Sequence, residues 1–433
     1  PFTVTTIDHL CISLTGTRED HHAIFFGLAH SCIVIDEADF YDDFTQQNIV
    51  TLLRALRILK VPVLLMSATV PESAISVFSK SGFEIKKIHS DESDTERSRC
   101  EITRHGKAEN PNEIKPLLER AMLQPTIIYA NTVSRAQDYY RWFKAQDFDD
   151  VILYHSRYIE PHKVDKENSL REMLGRDAWK NGTQHGVAIL TQIGEISVNI
   201  SADLMISDLC PLDRLTQRIG RLSRFSENIG EVFIVEPQKT NKNGITEFYP
   251  APYGSFVPNF GWQTSRALIL TNERLKDGEY SAKDFVDLVN QLYPSQNRIE
   301  PHVVKNVRAL EDMVVTNWLI LPKQFVESDD DQTQEWKSRD IPFQQTIYAG
   351  FDDNGLDDEY IEPTNKSQLK EFEIRYGITC HSYEYQQALE EGIIESKEFQ
   401  LAYDEIVFKP VIRSCSHYNQ EVGLDFKGNE YSY

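Results

Sequence analysis

The sequence predicts an α/β protein with two parallel-sheet domains in tandem, the first incomplete, followed by a mixed α+β C-terminal region. Three observations carry this prediction. Short continuous apolar runs such as Cys32 to Ile35 and Val61 to Met66 have the length and content of buried strands. Segments of helical periodicity, such as Thr45 to Lys60 with Ile49, Leu52, Leu53, Leu56 and Leu59 on one side, lie between them. The strand-helix rhythm then starts again after the polar, acidic stretch Ser90 to Ser98, which reads as a linker.

Past that stretch, Thr126 to Tyr129, Val151 to Tyr154, Val187 to Leu190, Leu204 to Ser207 and Glu231 to Val235 are strand candidates. Ser134 to Ala145 and Asp213 to Leu222 are helical in pattern. The rhythm breaks after Pro237, where Asn241-Lys242-Asn243-Gly244 is rich in turn formers. Thr264 to Arg274 and Ala282 to Leu292 read as helices, and Asp329 to Asp331 and Asp352 to Glu359 as solvated acidic loops. These shifts divide the chain at 1–92, 93–238, a helical connector 239–325 and an acidic accessory region 326–433.

With 433 residues, 40% hydrophobic and 26% charged, the chain has enough apolar material for sizeable cores. It has no apolar run of membrane-spanning length. It opens inside a strand-like run without an initiator Met or a secretory signal, so a piece of a longer protein is expected. The net charge is −22, but residues 326–433 hold 24 acids against 9 bases. A local basic groove elsewhere is therefore compatible with the acidic total. The six cysteines are scattered without a Cys-x-x-Cys pair, which points to a reducing, cytoplasmic setting rather than a disulfide or zinc framework.

Asp36-Glu37-Ala38-Asp39 follows a buried strand, where open parallel sheets bind ligands. An acid there can hold Mg²⁺ and its neighbour can act on an attacking water. Alone, the same tetrapeptide is also an ordinary solvated turn. Ser67-Ala68-Thr69 closes the next apolar run, and its hydroxyls could meet the acids or simply cap a helix. Gln217-Arg218-Ile219-Gly220-Arg221-Leu222-Ser223-Arg224 carries the strongest signal. On a continuous helix Gln217, Arg221 and Arg224 share a face. Guanidinium groups there could address a phosphate held by the first domain. The whole reading expects these arginines and the acids to face one gap. Asp20-His21-His22, with His9 and His30 nearby, is read as a polar loop rather than a metal centre.

In combination, these residues resemble the superfamily-2 helicases, with two RecA-like domains. Thr5 to His9, His155-Ser156-Arg157, Thr191 to Glu195, the stretch Ser207 to Gln217 and the late Tyr418 to Leu424 element resemble, more narrowly, the CRISPR-associated helicase–nuclease of type I systems. The resemblance implies an ATP-dependent, Mg²⁺-requiring helicase of antiviral defence. It would translocate on single-stranded DNA exposed by a guide-RNA surveillance complex, as a cytoplasmic monomer without membrane contact. It implies Asp36 as the Mg²⁺ ligand and Glu37, Gln217, Arg221 and Arg224 as catalytic groups. Ser67, Thr69, Asn199 and Asp203 join Asp36, Glu37, Arg221 and Arg224 around the nucleotide. Thr6, Asp8, Asn131, Thr132, His155, Ser156, Arg157, Thr191 and Gln192 would contact the strand. Two departures stand out. The run after Ser197 keeps only Asp203 of the family's aspartates, and no Gly-x-x-x-x-Gly-Lys-Ser/Thr loop occurs in the sequence. The chain alone is therefore expected to hydrolyse ATP poorly, and no fused nuclease domain is found in it. The competing readings are an RNA helicase of the DEAD-box kind, suggested by the literal Asp36 to Asp39 box, and a non-catalytic helicase-shaped docking subunit.

Overall fold

The structure, a computed structural model, describes residues 2–37, 43–67, 72–86, 88, 96–195, 198–241, 243–257, 260–292, 300–318, 336–340, 344–349, 362–414 and 416–427. The chain divides into two compact units, residues 1–96 with 282–341 and residues 97–281 with 342–433.

The first unit opens with α1 (Ile7–Leu14), α2 (Glu19–Ala29), β1 (Ile33–Ile35), α3 (Asp43–Ile58), β2 (Val63–Leu65) and α4 (Glu72–Ser79). β1 and β2 pair in parallel with Ile35 opposite Leu65. The apolar stripe of α3 packs Ile49, Leu52, Leu53 and Leu56 into one core with Cys11, Leu14, Ile35 and Phe78. The expected linker is outside the described residues from 90 to 95, and Ser98 opens a strand instead.

The second unit holds β3 (Ser98–Ala108), α5 (Lys115–Ala121), β4 (Thr126–Tyr129), α6 (Val133–Lys144), β5 (Val151–Tyr154), α7 (Glu160–Leu174), α8 (Arg176–Asn181), β6 (Val187–Leu190) and β7 (Leu204–Asp208). It continues with α9 (Leu212–Ile219), β8 (Gly230–Thr240), β9 (Thr246–Phe248), β10 (Gly254–Val257), β11 (Gly261–Thr264), α10 (Arg266–Arg274) and β12 (Gly278–Ser281). Its main sheet runs β12-β3-β8-β7-β4-β6-β5, with β9 attached to β8. The pairs from β3 through β5 are all parallel, and β12 and β9 are antiparallel additions. Every residue of β4, β6 and β7 is buried, as expected for strands covered on both faces. Tyr139, Trp142 and Phe143 of α6 pack on Ile128, Leu153, Ile189 and Ile206. A fully buried side chain of this size contributes about 1.5–3 kcal/mol.

Helices α11 (Ala282–Leu292) and α12 (Pro301–Trp318) return the chain to the first unit, where Leu310 enters the core around α3. The rest belongs to the second unit: β13 (Gln344–Tyr348), α13 (Lys366–Tyr376), β14 (Gly377–His381), α14 (Ser382–Glu390), β15 (Ile394–Leu401), β16 (Glu405–Ile412), β17 (Tyr418–Asn419) and β18 (Gly423–Leu424). A four-stranded sheet, β14-β13-β16-β15, makes this the mixed α+β region that the sequence predicts. The two acidic loops, 329–331 and 352–359, lie outside the described residues. The turn predicted after Pro237 joins β8 to β9, with Asn241 Oδ1 accepting from the amides of Asn243 and Ile245.

Candidate nucleotide and nucleic-acid site

In the first unit, the parallel register sets the chemistry. Because Ile35 stands opposite Leu65, Asp36-Glu37 and Met66-Ser67 emerge side by side at one carboxyl edge, and the Met66 amide donates to the Ile35 carbonyl at 2.8 Å. Asp36 is exposed, and its Oδ1 accepts from the Glu37 amide at 3.0 Å. Glu37 has a φ of 51°, a left-handed conformation uncommon outside Gly, Asn and Asp. One exposed carboxylate at a strand end suits a cation that keeps most of its waters and binds phosphate, as Mg²⁺ does. Ala38, Asp39 and Thr69 lie outside the described residues.

Thr6 caps α1 by accepting from the His9 amide at 3.4 Å. Asp8 is clasped by Arg339, through Nε at 2.9 Å and Nη2 at 2.6 Å. Asp20, His21 and His22 sit in α2, not in a loop, because Leu28 and Phe25 of the same helix pack into the core. His21 is buried with Nδ1 3.4 Å from Thr15 Oγ1, and the His22 ring lies 4.5 Å from Trp318. Among the described residues no group of three metal-ligating side chains occurs.

In the second unit, the expected shared helical face does not form. α9 ends at Ile219, and Arg221 to Arg224 run beyond it. There Leu222 bridges Ala202, and Ser223, at φ 48°, donates its amide to the Ala202 carbonyl. This extended rung separates the two arginines. Arg221 turns inward and donates from Nε to the Gly194 carbonyl at 2.7 Å, whereas the Arg224 side chain is exposed. Gln217 is half-buried on α9.

The polar groups at the carboxyl ends of β4, β6 and β7 form one buried network. Arg218 is fully buried and pairs with Glu195 at 2.8 Å. Its remaining donors reach Ser207 Oγ, the Asp208 carbonyl, Asn131 Oδ1 and the Tyr253 hydroxyl within 3.2 Å. Burial opposes its charge, but Cys210, Tyr253 and Glu195 outweigh that and hold its pKa well above the ordinary value. Asp208 binds Arg135 Nε at 2.8 Å and the Asn131 amide at 2.9 Å.

This network consumes several expected strand contacts. Asn131 spends its side chain on Arg218 and the Leu209 carbonyl, and Gln192 donates to the Asn131 carbonyl at 2.6 Å. Thr191 is buried, and Thr132 caps α6. His155 is fully buried; burial first, and then the Arg157 charge, pull its pKa down to about 3. Its Nε2 lies 2.9 Å from the Val422 carbonyl, and its Nδ1 accepts the Arg157 amide at 3.1 Å. Arg157 pairs with Glu384, while Ser156 is exposed. Asp203 is bound by Ser223 at 2.9 Å, Ser226 at 2.8 Å and Asn228 at 2.7 Å, while Asn199 is exposed.

The late Tyr418 to Leu424 element is the partner of this surface. The Tyr418 hydroxyl accepts the Ile159 amide at 3.0 Å, and Gln137 donates to both the Val422 and Leu424 carbonyls. Arg218, Glu195, Asp208 and Arg135 were assigned no role from sequence. One signal was present: Arg218 continues the spacing of Leu212 and Leu215, and so occupies the buried face of an amphipathic helix.

Residues 123–227, which contain most of this network, match a family model described as CRISPR-associated nuclease/helicase Cas3, C-terminal. A Methanocaldococcus jannaschii protein carrying a CRISPR-associated nuclease/helicase Cas3 name is 32% identical over 232 residues, 52% of this chain and 31% of its own. The AMPPNP-bound Cas3 crystal structure from T. fusca aligns with a TM-score of 0.64 and 18% identity, covering 97% of this chain and 56% of the other. A chain of the pre-nicking CRISPR RNA-guided surveillance complex aligns with a TM-score of 0.63 and 18% identity, covering 98% and 60%. The fold is of the class with RecA-like parallel sheets, similar to these Cas3 structures. Within it, the chain resembles the Cas3 family of CRISPR-associated nuclease/helicases. It spans about a third of the length of the curated relatives it matches. Among the described residues, no helix is long and apolar enough to cross a membrane.

Proposed function

We propose that this chain is the motor-bearing part of an ATP-dependent helicase that moves on single-stranded DNA exposed by a CRISPR guide-RNA surveillance complex. The observation that carries the proposal is the common carboxyl edge of β1 and β2, which brings Asp36, Glu37 and Ser67 together. The Cas3 likeness of residues 123–227 supports the CRISPR setting.

Bound ATP and Mg²⁺ would supply the reacting phosphates and the charge that neutralises them. Asp36 would hold the metal, and Glu37 would orient or deprotonate the attacking water. Ser67 and Thr69 link nucleotide state to movement. Arg221 and Arg224 stabilise the charge that develops on the transferred phosphate, with Gln217 positioned beside it. Asn199 and Asp203 complete the nucleotide surroundings. The exposed Thr6 and Ser156, with the half-buried Thr132, line the strand track, where backbone phosphates are gripped without base reading.

The 433 residues contain no Gly-x-x-x-x-Gly-Lys-Ser/Thr loop, so the proposal requires that loop from sequence joined to this chain. The test compares ATP turnover by the chain alone with turnover by the chain joined to a phosphate loop, with single-stranded DNA, with RNA, and with neither. DNA-stimulated turnover by the joined protein alone is expected. Robust turnover by the unjoined chain overturns the loop requirement. Stimulation by RNA but not DNA favours the DEAD-box reading, and no turnover in any form favours a docking subunit.

A further inference from the structure

We infer that Arg218 and Glu195 are positioning residues for Arg221. This deepens the reading above and rests on the phosphate role given there to Arg221. The Gly194 carbonyl is the pivot. It accepts Arg221 Nε at 2.7 Å and the Tyr129 hydroxyl at 3.2 Å. Both its neighbours are held by one side chain. Arg218 Nε binds Glu195, the next residue along the chain, at 2.8 Å, and the Arg218 guanidinium lies 5.1 Å over the Tyr129 ring. Gly194 itself is tightly seated: a Cβ added there would come within 2.8 Å of Leu190 Cβ. The carbonyl that aims Arg221 is thus set by the buried pair behind it.

Stability alone is a poor reason for this pair. Glu195 Oε2 is buried and receives no hydrogen bond among the described residues, and Arg214 Nη1 approaches it only to 3.9 Å. A buried ion pair with an unsatisfied oxygen is often replaceable by apolar groups at no loss of stability. Its place beside the carbonyl that receives Arg221 fits a group that holds geometry. Arg221 can then meet a phosphate without first paying the entropy of becoming ordered.

The experiment has two arms. In the first, the full 433-residue chain is labelled with ¹⁵N-arginine, and hydrogen exchange at the Arg221 Nε–H is followed. Glu195→Gln and Arg218→Met are expected to speed that exchange at least ~10-fold while sheet amides keep their protection. The double variant Glu195→Met with Arg218→Met strands no charge, and so covers the case in which a single variant fails to fold. In the second arm, the joined helicase is assayed for ATP turnover. Arg218→Met is expected to lower kcat as far as Arg221→Ala does, with KM unchanged, and to add nothing in the Arg221→Ala background. An Arg221 Nε–H still protected in the folded double variant overturns the inference, as do kcat losses that multiply. If Arg221→Ala leaves turnover intact, the phosphate role fails, and the exchange arm still decides whether the pair positions Arg221.

Discussion

The two parallel-sheet regions place their charges differently. In the second unit, β4, β6 and β7 are buried along their whole length, and the ionic groups at their carboxyl ends are buried and bonded to one another. In the first unit, β1 and β2 pair only with each other among the described residues, and Val34 and Leu64 are 55% and 43% exposed. Asp36, at the end of β1, faces solvent. The contrast separates two uses of a strand end. An exposed acid can receive a hydrated cation, whereas a desolvated arginine network is worth most as a fixed frame.

The sharpest way to break this contrast is to remove a group from the buried frame. Arg221→Ala in the joined helicase should cut ATP turnover by about 10³, the scale of a lost arginine finger, as read by steady-state hydrolysis. Unchanged turnover would show that the inward-turned guanidinium is structural only.

Packing gives the next largest effect. Ile128→Ala empties space in a fully buried strand and should cost about 2–5 kcal/mol. Val34→Ala, on a half-exposed strand, should cost less than about 1 kcal/mol. Denaturant melts of the two variants check this, and equal shifts would erase the distinction between the sheets.

A third change tests the seam between β5 and the late hairpin. Gly423 has a φ of +70°, and a Cβ there would lie 2.6 Å from the Arg157 carbonyl. Gly423→Ala should therefore destabilise the second unit by about 1–3 kcal/mol, measured as a lower melting temperature.

The last effect is one of pH, and it develops only as the solution is acidified. His155 titrates near 6.5 in the unfolded chain, and burial brings it down to about 3 in the folded one. A proton therefore favours the unfolded state. The stability is fully present above about pH 6.5 and is lost progressively as pH falls toward 3. Acid should destabilise the wild-type chain more than His155→Gln, and parallel pH profiles would contradict the buried neutral ring.

Much of the scaffold was readable from apolar runs. Thr126–Tyr129, Val151–Tyr154 and Val187–Leu190 have the same bounds in sequence and structure because each run is short and continuous, and Ala282–Leu292 does because its apolar positions recur at helical spacing. The shared edge of Asp36 and Ser67 was readable too, since both follow neighbouring buried runs. The facing of Gln217, Arg221 and Arg224 was not. It assumed a helix through residue 224, and the rung formed by Leu222 against Ala202 stops that helix at Ile219. Pairing with a strand end some twenty residues away is a non-local competition that local periodicity cannot register.

The order of short buried strands and amphipathic helices, the strand-end acids and the arginine-rich segment are written in the sequence, because burial period and residue chemistry are local properties. Which arginine turns inward, which polar side chains are consumed by bonds and how Tyr418 to Leu424 closes over His155 were decided only by tertiary structure. Desolvation makes those choices, since a buried polar group must find its partner wherever in the chain that partner lies.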